Sequence, residues 1–114
     1  MNNLSIYALA MNSYNTDLLI INDISHSYKY HENGVVVQTD ERIVTFSNLV
    51  TIKVQHEFDQ LDTVIDGICP ECWITYEIIS NPENVQITPV KKTFISRCQE
   101  AFWLKLNVIR AENN

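Results

Sequence analysis

The stretch ISHSYKYHENGVVVQTD, residues 24–40, decides how this chain is read. Ile24, His26, Tyr28 and Tyr30 alternate with Ser25, Ser27, Lys29 and His31. A period of two is that of a strand, whose successive side chains point to opposite faces. Asn33-Gly34 comes next, followed by Val35-Val36-Val37. Both turn residues tolerate the positive φ that a type I′ turn requires, so the pattern predicts a hairpin of 24–31 with 35–40. The first strand is expected to be half-buried, with His26, Tyr28 and Tyr30 packed on its core side.

Toward the C-terminus, Asp40-Glu41 is read as the next turn and Arg42 to Phe46 as a further strand. Ser47-Asn48 turns the chain again. Val50, Ile52, Val54 and His56 then alternate with Thr51, Lys53 and Gln55 as a long strand. Consecutive strands joined by short turns make an antiparallel meander. Leu61, Val64, Ile65 and Ile68 sit at helical spacing and suggest a short helix at 59–66, ended by Gly67. Trp73 to Ile79 alternates as a strong strand. Asn81-Pro82-Glu83-Asn84 turns, and Val85 to Thr88 is expected to return as its hairpin partner. Ile95, Cys98, Phe102, Leu106 and Ile109 recur at helical spacing, which predicts a C-terminal helix capped by Thr93. Trp73, Phe102 and Trp103 are expected core anchors, and any one of them exposed would mark a binding patch.

Toward the N-terminus, LSIYALAM (4–11) reads as a buried strand or a helical turn, and Leu18 to Ile21 as a short buried strand. The expected fold class is therefore mainly β (α+β) over one domain, 1–114. It would be an antiparallel sandwich or partly open barrel, with a short helix at 59–66 and a helix at the C-terminus. A chain of 114 residues buries roughly 65% of its unfolded surface and can carry its own core.

With 14 acidic against 8 basic residues, the formal charge is −6. An acidic surface repels phosphate backbones and anionic leaflets, so the expectation is no nucleic acid and no membrane. No Lys or Arg precedes the apolar start, unlike a secretory signal, which points to a cytoplasmic protein. The abundance of Asn and Ile is that of an AT-rich genome and suggests a viral or mobile-element origin.

The acidity gathers at Glu57, Asp59, Asp62, Asp66 and Glu71, with no Lys or Arg from 57 to 71. These five carboxylates are the candidate docking residues for a basic protein partner; a solvated helix and loop face is the plainer reading. Cys69-Pro70-Glu71-Cys72 is the one recognisable motif. Two thiolates three positions apart can share a zinc ion, with Cys98 and His56 as further ligands, or can act as a redox dithiol. Two small side chains at a strand entry are the plainer reading here too. Three cysteines, an odd number, argue against a disulfide framework. There is no G-x-S-x-G elbow, and no histidine is set beside a nucleophile by its spacing.

The expected function is a small acidic, non-catalytic protein-binding module without a cofactor: an inhibitor, immunity or adaptor protein. The alternatives are a structural subunit of a homo-oligomeric assembly, and a zinc- or redox-linked protein using Cys69 and Cys72.

Overall fold

A computed structural model describes residues 3–14, 16–59 and 69–112. Helix α1 (Leu4–Met11) precedes strands β1 (Ile20–Glu32), β2 (Val35–Phe46), β3 (Thr51–Asp59), β4 (Glu71–Ser80) and β5 (Lys91–Ser96), and helix α2 (Arg97–Glu112) closes the chain. The strands form one open antiparallel sheet in sequence order. The mainly β class and the C-terminal helix stand. The layer that a sandwich would fill with a second sheet is here supplied by the two helices. The expected helix at 59–66 lies outside the described residues, apart from Asp59, which ends β3.

The Asn33-Gly34 hairpin forms as read. Glu32 pairs with Val35, and the turn residues take φ of 51° and 80°. Its strands are longer than expected, because Asp40-Glu41 is not a turn. Asp40 pairs with Ser27 and His56, and Glu41 with His26 and Gln55, inside a continuous β2. The carboxylate of Asp40 meets its needs by accepting from Ser27 Oγ at 2.8 Å and Gln38 Nε2 at 2.9 Å. Without Gly or Pro, nothing forces the backbone to turn there.

Strand alternation and the observed register divide the side chains between two faces. Val44 and Phe46 of β2, Ile52 of β3, Cys72, Ile74 and Tyr76 of β4 and Phe94 of β5 share the face that packs on the helices. α1 is the centre of this core. Leu4, Tyr7 and Ala8 are fully buried, and Tyr7 meets Phe46 edge-on at 5.0 Å. Burial on all sides explains why 4–11 shows no one-sided periodicity. Asn3 caps the helix by accepting from the backbone N–H of Ser5 at 3.0 Å. Under α2, Phe94 and Trp103 pack at 5.1 Å, with Tyr76 alongside.

Five further readings are corrected. β1 is exposed along its whole length, so it is not half-buried, and Leu18–Ile21 is not a buried strand: Leu19 is 67% and Ile21 59% exposed. A strand at the end of a sheet has one neighbour only, and its pattern alone does not reveal that. Val85–Thr88 forms only an isolated bridge, Thr88 with Asn3, and the partner of β4 is 91–96. Pro89 has no N–H to offer a ladder, so pairing resumes beyond it. Thr93 lies within β5 and does not cap α2; Ser96 does, accepting from the Gln99 N–H at 3.2 Å. The apolar stripe of Ile95, Cys98, Phe102, Leu106 and Ile109 is not the packed face of α2. Phe102 and Ile109 are exposed, whereas Glu100, Leu104 and Asn107 are buried.

Candidate functional site

The face of the sheet opposite the helices carries β1 residues 24, 26, 28 and 30, with their register partners. One row crosses four strands: Tyr28 opposite Thr39, Thr39 opposite Glu57, Glu57 opposite Trp73. The next row runs Tyr30, Val37, Asp59. Thr39 and Val37 are buried in the middle of these rows. The aromatic rings flanking them are not: Trp73 is 50% and Tyr28 48% exposed. Tyr30 donates from its phenol to Glu57 Oε1 at 2.5 Å. That bond, followed by burial and the carboxylate charge, pushes the Tyr30 pKa up to about 12. The phenol therefore stays neutral and holds Glu57 in place. The result is a patch with aromatic edges and a fixed carboxylate at its centre.

Of the five expected docking carboxylates, Glu57 sits in this patch and Asp59 ends β3 beside it. Glu71 is exposed at the start of β4, at the same end of the sheet as Asp59. Asp62 and Asp66 lie outside the described residues. Trp73 and Phe102 are not core anchors, since both are at least half exposed; Trp103 is one. Tyr28 and Tyr30 are likewise surface residues. The missed signal is the position of 20–32 at the end of the sheet: among the described residues β1 has a strand neighbour on one side only.

A second feature lies on the helix face. A polar cleft of about 360 Å³ opens between β1–β4 and the start of α2, lined by Asp40, Arg42, His56, Tyr76, Arg97 and Glu100 among others. Arg97 Nη2 donates to His56 Nδ1 at 2.9 Å, which leaves the ring proton on Nε2. Burial and then the Arg97 charge push the His56 pKa below its ordinary value, against the pull of Asp40 and Glu100. The ring stacks on Phe58 at 4.6 Å. Ser27 in the same cleft donates to Asp40, so hydroxyl, imidazole and carboxylate do not form a relay among the described residues. Tyr76 donates to Glu100, and burial followed by this bond holds its phenol well above the ordinary value.

The Cys69/Cys72 pair is divided. Cys69 is disulfide-bonded to Cys98, with Cα atoms 6.3 Å apart, while Cys72 is a buried free thiol. Reading three cysteines as free of disulfides is thus corrected. The direct run of β5 into α2 carries Cys98 to the segment before β4, a contact no count of cysteines reveals. Burial raises the Cys72 pKa, which keeps it a thiol. Among the described residues, no three His, Cys, Asp or Glu side chains are grouped to hold a metal ion. No helix among them is long and apolar enough to cross a membrane. Set against protein-family models, curated proteins and solved structures, the chain matches no family model, no curated protein and no solved structure.

Proposed function

We propose that the chain is a non-catalytic protein-binding module whose recognition surface is the sheet face bearing Tyr28, Tyr30, Glu57 and Trp73. The observation that carries this reading is the exposure of Trp73 and Tyr28 at the two ends of a row whose inner members are Thr39 and Glu57. Large rings held rigid on strands supply contact area at little cost in side-chain entropy, and they dominate binding energy where they anchor an interface. Glu57 and Asp59 give the patch an acidic centre and flank, which complements a partner with Arg or Lys at its contact surface. The net charge of −6 steers such a partner from a distance.

The test is capture from the native source by the wild-type chain and by a Tyr28→Ala/Trp73→Ala variant, followed by association kinetics with the captured protein. The expected result is a partner held by the wild type and lost by the variant, whose association slows as salt is raised. A partner retained equally by the variant, or a rate indifferent to ionic strength, would overturn the reading.

The second reading, a subunit of a homo-oligomeric assembly, is favoured by one different feature: the long exposed edge of β1.

A further inference from the structure

The two edges of the sheet are built differently. β5 has six residues, carries Lys91 and Lys92, and runs directly into α2. A short strand with lysines is how proteins blunt an edge. β1 is blunted less: it carries one lysine, Lys29, and its one register irregularity lies at its start, between Ile20 and Asn22. It is 13 residues long, exposed throughout, free of proline, and holds a regular register with β2 from Asn22 to Glu32. In the described sheet it has a neighbour on one side only, so every second residue turns its N–H and C=O outward.

We propose that this edge binds the same edge of a second copy, antiparallel about a two-fold axis through His26, so that two sheets join into one of ten strands. The register follows from the sequence. Side chains keep to their own faces across the joint only if paired residue numbers have an even sum. Asp23 opposite Lys29 sums to 52, and this is the one even sum that sets a carboxylate of β1 against its lysine. The same sum pairs Ile20 with Glu32, so it also uses the whole of Ile20–Glu32. It places Ile24 opposite Tyr28, a β-branched side chain against an aromatic ring, on the face bearing Trp73. Ser25 falls opposite Ser27 on the helix face.

By symmetry each of these contacts occurs twice. Among the described residues Lys29 makes no ion pair, whereas Asp23 already accepts from Arg42 at 2.9 and 2.7 Å. The ammonium of the second copy would thus complete an Arg42–Asp23–Lys29 chain of charges at each end of the joint. The partner is a second copy because the edge is complementary to itself in charge and length at a single register. The inference does not depend on the proposed use of the sheet face opposite the helices, since it rests on the exposed edge of β1 and the register that its charges select.

The test is sedimentation and light scattering over a range of concentrations, with three variants. The wild type is expected to be a dimer that dissociates on dilution. Lys29→Glu opposes two carboxylates twice and is expected to weaken the dimer about tenfold or more while leaving the circular dichroism of the monomer unchanged. In a Cys72→Ser background, His26→Cys is expected to cross-link into dimers on mild oxidation, because residue 26 meets its own copy. Ser25→Cys is expected not to, since it meets Ser27. A monomer at all concentrations overturns the proposal. So does a dimer indifferent to Lys29→Glu, or one in which Ser25→Cys cross-links as well as His26→Cys.

Discussion

The phenol of Tyr76 donates to Glu100 Oε2 at 2.6 Å, tying the middle of β4 to the first turn of α2. Asn12, just past the end of α1, donates to the same phenol oxygen at 3.0 Å and to the Ala8 carbonyl at 2.7 Å. Three elements therefore meet at one buried hydroxyl. Removing it in Tyr76→Phe leaves Glu100 buried, with the Arg97 guanidinium 3.6 Å from its Oε1. The expected loss is about 1–3 kcal/mol of unfolding free energy, read by urea denaturation. A loss below about 0.5 kcal/mol would show that Glu100 is hydrated in the folded chain.

Helix α2 offers a test of which face is packed. Leu104 is buried and Phe102 is 69% exposed, although they stand two residues apart. Leu104→Ala is expected to cost about 2–4 kcal/mol, as large-to-small changes in a core do. Phe102→Ser is expected to change stability by no more than about 0.5 kcal/mol. Equal effects would mean that Phe102 is covered in solution.

The contrast shows what the sequence could and could not tell. Residues 24–56 reveal their strands, because alternation and the Asn33-Gly34 turn are local signals. α2 is legible as a helix for the same reason, but its buried face is not. Its packed side mixes Glu100 and Asn107 with Leu104, and these polar groups are satisfied by Tyr76 and by the Trp103 carbonyl. A search for an apolar stripe passes over such a face and selects Phe102 and Ile109 instead. The candidate patch was half legible. Glu57, Tyr28 and Trp73 each stood out alone, but their alignment in one row depends on the register of four strands, and that register is set by where each strand begins.

At the hairpin tip, Gly34 holds φ of 80°, and a Cβ there would meet nothing within 4 Å. The cost of Gly34→Ala is then purely that of the backbone conformation, about 1 kcal/mol. Thermal unfolding measures it. A neutral or stabilising change would mean that the turn relaxes to another type.

Cys69 and Cys98, 29 residues apart in sequence, close a loop across the β4–β5 hairpin and the start of α2. Opening it with Cys69→Ser/Cys98→Ser relieves a constraint on the unfolded chain. This is expected to lower stability by about 2–4 kcal/mol. Thiol titration of the unfolded, unreduced protein should return one free group, Cys72. Three groups would mean that the bond does not form under the conditions of isolation.

His56 supplies a pH dependence whose sign can be worked out. Its folded pKa lies below the unfolded value, first through burial and then through Arg97. As pH falls through about 6.5, the unfolded chain takes up a proton at this residue before the folded chain does. The unfolded state then binds more protons, so stability falls with falling pH. The contribution is fully present above the unfolded pKa and is lost as pH drops through the folded one. His56→Asn keeps an acceptor for the Arg97 guanidinium and cannot titrate. Urea midpoints between pH 7.5 and 5 are therefore expected to decline less in His56→Asn than in the wild type. Asp23 and Asp40, whose pKa values are lowered by Arg42 and by Gln38 respectively, add their own loss only at lower pH, near the carboxylate range. Parallel declines in wild type and His56→Asn would mean that the folded imidazole protonates as freely as the unfolded one, and that the Arg97 bond does not hold it neutral.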